Sequence, residues 1–298
     1  MGNDITYILT HYSENSLRDK NLKAVLSWIK SLKGNKEIIL VEQGKIPGIL
    51  PLIYYNGNPN NTFSGIKYVF AFNDNLFSKA WGMNIGTQYA SNKYLVYVDS
   101  DCLCHKIDME SFTERFIKNN YEVGSPNKYR YHYLSPKESD YVRENPINFK
   151  LNKKNQINKI VSFTGGMFMV KKSIMNKIKL WDEDFIGWGF EDLAVEVKLN
   201  KTTNKILRGR YTTFHLDHGN KTDSYFLGKD KNHKLLMTRY NKDNLWVPHI
   251  KNIKLSKLGN KDKLKNKKMI KTITYVIPHR STDTYRDKNL NLVLDWVR

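Results

Sequence analysis

The stretch YLVYVDSDCLC, residues 94–104, decides the fold, because an apolar run ends there in two aspartates. Residues 94–98 are aromatic, branched or aliphatic, a pattern typical of a buried strand. Asp99 and Asp101 follow the run, and a buried charge without a partner costs free energy. The two carboxylates must therefore be hydrated, paired or bound to a metal. The strand end is either a solvated turn or a site that offers oxygen ligands to a cation.

The segments before this stretch show a regular alternation of elements. The hydrophobic pattern predicts strands at 5–9, 37–42 and 65–72 and helices at 17–32 and 76–91. A β-α-β alternation of this kind predicts a mostly parallel sheet with helices on both faces. In such sheets ligands bind beyond the carboxyl ends of the strands. The position of Asp99 and Asp101 at a strand end therefore favours a ligand site over a solvated turn.

Composition limits the function classes. The chain has 298 residues and a net charge of +20, which favours anionic partners. The most basic stretch, residues 251–271, has no aromatic residues for base stacking and is interpreted as a solvated linker, so no nucleic-acid partner is expected. No apolar run reaches the length of about 18 residues typical of a membrane span, and the N-terminus lacks a signal-peptide pattern. Cys102 and Cys104 are too close for a favourable disulfide, so a reduced, cytoplasmic protein is expected.

An internal repeat predicts the domain organisation. The sequence at 5–29, ITYILTHYSENSLRDKNLKAVLSWI, returns at 273–297 with 13 of 25 positions identical. Each copy has the pattern of a strand, a polar loop and a helix. We therefore expect one main domain at 1–250, a basic linker at 251–271, and at 272–298 the first strand and helix of a truncated second domain.

Two further motifs follow the acidic pair. SFTGGMFMVKKSIM, residues 162–175, has a strand-like pattern in which Gly165 and Gly166 would let a ligand approach the backbone closely. GWGFED then places Glu191 and Asp192 at the predicted start of a helix. Acidic residues in the first turn of a helix are often only caps or partners of the helix dipole. Taken alone, this motif therefore does not identify a site.

A pair of histidines comes last. TTFHLDHGN contains His215 and His218, three residues apart. A single histidine is usually structural, but a pair close to two carboxylates could complete an oxygen and nitrogen site for Mn²⁺ or a similar metal.

In combination, these motifs resemble those of nucleotide-sugar-dependent glycosyltransferases with the GT-A fold. The likeness is greatest to the galactosyltransferase branch and to bacterial chondroitin-polymerase-type enzymes, and it covers residues 5–220. The resemblance implies a Rossmann-like, mostly parallel central sheet flanked by helices in a single main domain. The matching motifs occur in the family's order: VEQG (41–44), LFSKAWGMNIG (76–86), VDSD (98–101), FTGGMFMV (163–170), GWGFED (187–192) and HLDH (215–218).

The resemblance implies a metal centre that holds Mn²⁺ or Mg²⁺. Asp99 and Asp101 match the D-x-D motif, in which Asp101 binds the metal and Asp99 contacts the ribose or the metal. His218 matches the late histidine ligand of the family. His215 lies where some relatives place a second ligand.

The resemblance also implies an acceptor side. Asp192 matches the general base that deprotonates the acceptor hydroxyl, and Glu191 would contact a sugar hydroxyl. Trp188 would form a platform for the acceptor. Gly165 and Gly166 would allow the substrates to close on the strand.

The nucleotide contacts depart from the family pattern. Relatives often carry Pro-x-Arg after the first strand, and the second copy of the repeat has it at 278–280, but the first copy has Thr10, His11 and Tyr12. His11 would then lie at the nucleotide, with Arg18 or Lys79 replacing the missing arginine.

The function implied is an inverting, metal-dependent transfer of a sugar from a UDP-sugar to a hydroxyl of a glycan acceptor, in a tandem enzyme with two sites. Two alternatives stay open. A D-x-D phosphatase would use Asp99 as its nucleophile, although that strand usually opens the domain and here roughly ninety residues precede it. A basic module that binds nucleic acid or anionic glycans, with a decayed transferase site, would bind with a steep salt dependence and without a metal.

Overall fold

The structure is a computed structural model, and it describes residues 4–49, 62–151, 163–219 and 228–240. The described residues all belong to one compact unit, Met1–Leu255. The predicted linker at 251–271 and the predicted second copy at 272–298 lie outside the described residues.

Within the described residues the chain forms eight strands and seven helices. The strands are β1 (Ile5–His11), β2 (Lys36–Gly44), β3 (Lys67–Phe72), β4 (Tyr94–Asp99), β5 (Cys102–Leu103), β6 (Val123–Tyr133), β7 (Met167–Lys171) and β8 (Ile206–His215). The helices are α1 (Ser16–Ser31), α2 (Lys79–Tyr89), α3 (Lys106–Lys118), α4 (Pro136–Glu144), α5 (Lys172–Lys177), α6 (Glu191–Thr202) and α7 (Lys229–Arg239).

All eight strands form one mixed sheet in the order β3-β2-β1-β4-β7-β6-β8-β5. The first four strands of this order run parallel, which confirms the β-α-β arrangement predicted from the sequence. Beyond β4 the pairing changes, since β7 is antiparallel to both β4 and β6. β6 and β8 are parallel, and the short β5 closes the edge against β8 in the antiparallel sense.

Helices cover both faces of the parallel half. Tyr7 and Leu9 of β1 pack in the main core with apolar residues of α1 and α3. Successive side chains of a strand point to opposite faces, and Ile8 accordingly faces α2, where it lies against Gly86. Helices on both faces were predicted, and both faces are covered.

The boundaries of the strands and helices agree with those predicted from the sequence except around Gly165 and Gly166. The segment predicted as strand-like over 162–175 contains a turn at 163–166, a five-residue strand β7 and the short helix α5. An uninterrupted strand was therefore wrong. The turn arises because Gly166 has φ +76°, a left-handed conformation that ends strand geometry. Among the described residues, no helix is both long and apolar enough to cross a lipid bilayer.

The contact between α2 and β1 gives a stability prediction. A Cβ on Gly86 would lie 2.3 Å from Cγ2 of Ile8, which is fully buried. We expect Gly86→Ala to lower the free energy of unfolding in urea by about 1–3 kcal/mol, because overpacking outweighs the better helix propensity of alanine. The control is Gln88→Ala, on the exposed side of the same helix, with a change within about 0.5 kcal/mol. A Gly86→Ala protein as stable as the wild type would contradict the close packing of this helix.

Candidate active site

A cavity of about 1130 Å³ opens at the carboxyl ends of β1 and β4. It brings together every residue that the sequence analysis placed in a site, although these residues span more than 200 positions. Their individual roles remain predictions. The predicted residues that line it are His11, Arg18, Lys79, Asp99, Asp101, Gly165, Gly166, Trp188, Glu191, Asp192, His215 and His218.

Lys79 connects the two acidic motifs inside this cavity. Its Nζ lies 2.7 Å from Oδ1 of Asp99, at the end of β4. The same Nζ lies 3.0 Å and 3.1 Å from the two carboxylate oxygens of Asp192, in the first turn of α6. The three side chains are 12%, 26% and 22% exposed, so these ion pairs form largely away from solvent. Charge-assisted contacts at such distances are among the stronger hydrogen bonds in proteins.

Burial and neighbouring charges shift the pKa values of Lys79 and of the carboxylates around it. Burial alone would lower the pKa of Lys79, but the carboxylates of Asp192, Asp99 and Glu191 outweigh it and hold that pKa well above the ordinary value. Burial raises the pKa of Asp192 to about 8, against the opposing charge of Lys79 and with a contribution from Glu191. Burial likewise raises the pKa values of Asp99 and Glu191.

A buried polar network holds Lys79 in place. Gln43, at the end of β2, donates from Nε2 to the carbonyl of Ser78 and accepts the Ser78 backbone N–H at its Oε1, at 2.8 Å and 3.1 Å. Ser78 caps α2 with its hydroxyl, and that hydroxyl also donates to the carbonyl of Phe185 at 3.2 Å. The start of α2 is thereby attached to the sheet on one side and to the loop before α6 on the other.

Local backbone geometry presents Asp192 and Glu191 to the cavity. Phe190, the residue before α6, has φ 74°, and Gly187 and Gly189 also have positive φ angles. The hydroxyl of Thr164 donates to the Asp192 carbonyl at 2.7 Å and connects α6 to the turn at 163–166, the glycine turn. Oε2 of Glu191 is buried and has no hydrogen-bond partner in the part of the chain that the structure describes. It is therefore available to accept a hydrogen bond from a ligand.

The glycine turn supports the end of β4. The backbone N–H of Asp99 donates to the carbonyl of Gly166 at 2.8 Å. A Cβ on Gly166 would lie 2.6 Å from Cε2 of Tyr131. The Tyr131 side chain thus already fills the space beside Gly166. A glycine is required at this position because φ is positive and because a Cβ would clash with Tyr131.

Asp101, Cys102 and His215 form a group that could hold a metal ion. They offer one donor atom each, all within 4.8 Å of one another. Their proximity follows from the antiparallel ladder in which Cys102 of β5 is the direct partner of His215 at the end of β8, since such partners share one face. His218 lies edge-on to His215, with ring centroids 5.3 Å apart.

Asp101 and His215 fit a divalent cation. Burial would raise the pKa of Asp101, but His215 and His218 lower it to about 2, so the carboxylate is ionised. Nδ1 of His215 is buried and lacks a hydrogen-bond partner within the described ranges. Burial raises the pKa of the Cys102 thiol well above its ordinary value, and that thiol contacts the Tyr131 hydroxyl at 2.9 Å. The ionised carboxylate and the imidazole nitrogen are the donors that suit Mn²⁺.

The residues predicted to contact the nucleotide take different positions. His11 is almost fully buried, with Nδ1 3.3 Å from Oγ of Ser100 and Nε2 3.0 Å from Oδ1 of Asp19. His11 therefore contacts Ser100, the middle residue of the D-x-D motif. Arg18 lies on the cavity wall, where its Nε donates to Glu14 at 3.1 Å. Lys79 contacts the carboxylates described above.

Helix α7 supports the loop that carries Trp188. Asn232 is fully buried, and its Nδ2 donates to the carbonyls of Ile186 and Trp188 at 3.1 Å and 3.2 Å. Arg239 forms ion pairs with Asp182 and Asp184 at the start of the same loop. The indole is thus placed at the cavity by a helix that follows it in sequence by about forty residues.

Sequence reasoning missed three features of this site. The pairing of Lys79 with Asp99 and Asp192 joins residues 20 and 113 positions apart, and no local pattern signals it. Cys102 was noted for its redox state and its place at the strand end, but its pairing with His215 in the ladder was not foreseen. Tyr131 lines the cavity from β6, where register shifts interrupt the strand pattern.

The parallel strands, the D-x-D turn and the facing carboxylate motif define a GT-A-type fold. The chain belongs to glycosyl transferase family 2, whose sequence profile matches residues 7–179, more than half of the chain. This membership favours a glycosyltransferase over the D-x-D phosphatase considered above. No curated protein sequence gives a significant match.

Solved structures resemble the fold at low sequence identity. The crystal structure of S. aureus TarS 1–349 in complex with UDP-GlcNAc has a TM-score of 0.51 and 10% identity, and the match covers 78% of this chain and 66% of that one. Another crystal structure of S. aureus TarS 1–349 has a TM-score of 0.48 and 11% identity, with coverage of 72% and 60%. The chain spans less than two thirds of the length of either, and the likeness concerns the fold alone.

The contacts of Asn232 predict the behaviour of the Trp188 loop. Asn232→Leu removes both hydrogen bonds to that loop. We expect peptides covering 185–190 to exchange backbone hydrogens at least tenfold faster by mass spectrometry, because the loop opens more often without these bonds. The matched variant Asn119→Leu, at the exposed end of α3, should leave those peptides unchanged. Unchanged exchange in both variants would show that α7 does not support the loop.

Proposed function

We propose that this protein is an inverting glycosyltransferase that moves a sugar from a UDP-sugar to a hydroxyl of a glycan acceptor. The observation that carries the proposal is the convergence of Asp99, Asp101 and Asp192 on one cavity, where Lys79 contacts both Asp99 and Asp192. A donor-side acidic pair and an acceptor-side carboxylate in one pocket supply the groups that a direct displacement requires. Membership of glycosyl transferase family 2 supports the same class of reaction.

The donor is proposed to bind on the Asp101 side of the cavity. A complex of S. aureus TarS with UDP-GlcNAc supports a UDP-sugar as the donor class. Asp101 and His215 would hold a divalent cation, Mn²⁺ or Mg²⁺, with His218 and Asp99 as further candidates. When bound, such a cation neutralises charge on the diphosphate leaving group. Arg18 and the strand end at His11 flank the space in which the nucleotide would lie.

The chemistry of the chain's own residues centres on Asp192. Its carboxylate accepts the proton of the acceptor hydroxyl while the hydroxyl oxygen bonds to the anomeric carbon. The bond from that carbon to the diphosphate oxygen breaks, and the electron pair leaves with the diphosphate. Burial raises the pKa of Asp192 above the ordinary value of an aspartate, which strengthens its carboxylate as a base. One displacement without a covalent enzyme intermediate inverts the anomeric configuration.

The acceptor side is proposed to consist of Glu191 and Trp188. The unpartnered Oε2 of Glu191 supports a hydrogen bond from a sugar hydroxyl. The indole of Trp188, at the cavity wall, supports stacking on a sugar ring. The repeat at 273–297 supports a tandem enzyme with a second site of the same kind, which would suit the addition of two sugars in turn.

The metal assignment predicts that nucleotide and cation bind together. UDP should raise the melting temperature in the presence of Mn²⁺ and not in EDTA, since ligand binding to the folded state stabilises it. Asp101→Asn should abolish the Mn²⁺-dependent part of the shift, and Asp230→Asn, an equal charge change on the exposed side of α7, should keep it. Equal stabilisation by UDP with Mn²⁺ and with EDTA would contradict the metal site and favour a binding module.

The assignment of the base predicts a separation between binding and turnover. Asp192→Asn should retain UDP affinity and lower kcat by about a hundredfold or more, the range expected for the loss of a general base. A panel of nucleotide sugars with Mn²⁺ first identifies the donor, and initial rates then give kcat for each variant. Asp230→Asn again serves as the control. Normal turnover by Asp192→Asn would place the base elsewhere.

A further inference from the structure

Lys79 contacts both halves of the proposed reaction site at once. Its Nζ touches Asp99, which ends the donor-side strand β4, and both carboxylate oxygens of Asp192, on the acceptor side. Contact with both oxygens constrains the orientation of the carboxylate, because either oxygen can turn away only by giving up a charge-assisted hydrogen bond.

The surroundings of Lys79 leave it little freedom to do anything else. It is the first residue of α2, whose start is held by the Gln43 network and by the hydrogen bond from Ser78 to the Phe185 carbonyl. Its side chain is only 12% exposed and also lies beside the ring of Trp181, with Nζ 5.8 Å from the ring centroid. A lysine that recruits a diphosphate needs an ammonium group that is free to meet it, whereas this one is already engaged by two carboxylates.

The charges around Lys79 also indicate that it positions Asp192. Asp99, Glu191 and Asp192 converge on this part of the cavity, and Lys79 is the cation in contact with two of them. Without it, like charges would face each other in a poorly solvated space, and the Asp192 carboxylate would turn away from Asp99. The base would then no longer point to the place where donor and acceptor meet.

We propose that Lys79 is the positioning residue of the general base: it holds the Asp192 carboxylate toward Asp99 and is not a ligand of the nucleotide. This inference rests on the proposed function, and it replaces the expectation that Lys79 takes the place of a phosphate-binding arginine. Lys79 touches no reacting atom, and it acts through Asp192.

The first test separates orientation of the base from nucleotide binding. Lys79→Met keeps most of the length of the side chain and removes its charge. We expect kcat to fall by at least thirtyfold, while the Kd for UDP with Mn²⁺, measured by calorimetry, stays within threefold of the wild type. The control is Lys67→Met. Lys67 lies on the outer strand β3 and forms an exposed ion pair with Glu37, so we expect kcat and Kd to stay unchanged. A Kd raised tenfold with kcat maintained would overturn the proposal and make Lys79 a nucleotide ligand.

A double-mutant cycle provides a readout that a purely structural role would not give. If Lys79 acts through Asp192, Lys79→Met should lower the residual kcat of Asp192→Asn by less than threefold, because the base is already lost. A further loss as large as in the wild-type background would overturn the proposal, since it would show that Lys79 acts independently of Asp192.

Folding of the variants is checked by thermal unfolding. If Lys79→Met does not fold, Lys79→Gln takes its place. Its shorter, neutral side chain cannot hold Asp99 and Asp192 together, so kcat is expected to fall with unchanged Kd. Unfolding of both variants would make Lys79 a residue of the fold and would reject the inference. A wild-type protein that transfers no sugar from any nucleotide sugar would reject the proposed function together with this inference. An active wild type with an equally active Lys79→Met rejects this inference alone.

Discussion

Buried charge is the constraint on which the organisation of this protein depends. Two carboxylates, Asp99 and Asp192, approach one ammonium group in a space with little access to water. Ion pairs of this kind are tolerated only when their geometry is well fixed, because desolvation of each charge is costly. Five separate segments meet that demand here: the ends of β2 and β4, the start of α2, the loop before α6 and the first turn of α6. The position of these segments around the cavity is therefore fixed by polar contacts as well as by the apolar core.

The change of strand direction at β4 explains why motifs far apart in sequence meet. On one side β4 pairs with the parallel β1, so that His11 and Asp99 end at the same edge of the sheet. On the other side it pairs with the antiparallel β7, whose beginning lies next to the end of β4. The turn that contains Gly166 is thereby brought to Asp99, where its carbonyl accepts the Asp99 N–H. A fully parallel sheet would have placed this turn at the opposite edge.

The sequence predicts what depends on local pattern, and long-range contacts decide the rest. Strand ends and helix starts follow from hydrophobic period and from residues such as Ser78, a cap before α2, so the D-x-D strand and the start of α6 could be predicted. The partner of Lys79 could not, because the sequence contains many lysines and only the fold decides which of them faces two carboxylates. The alignment of Cys102 with His215 likewise depends on ladder register, which a two-residue strand does not encode.

Asp101 and Asp192 show how one residue type acquires two different pKa values in a single cavity. Asp101 lies beside His215 and His218, and its pKa falls to about 2 despite burial. Asp192 is buried beside Glu191, and its pKa rises to about 8 although Lys79 opposes the shift. A carboxylate with a lowered pKa suits the binding of a cation, and one with a raised pKa suits the acceptance of a proton. Burial would raise the pKa of both aspartates. His215 and His218 reverse that effect at Asp101, whereas at Asp192 burial outweighs Lys79 and Glu191 adds to the rise. The proposed division of the cavity into a cation side and a proton side would therefore be a consequence of which strands and helices end there.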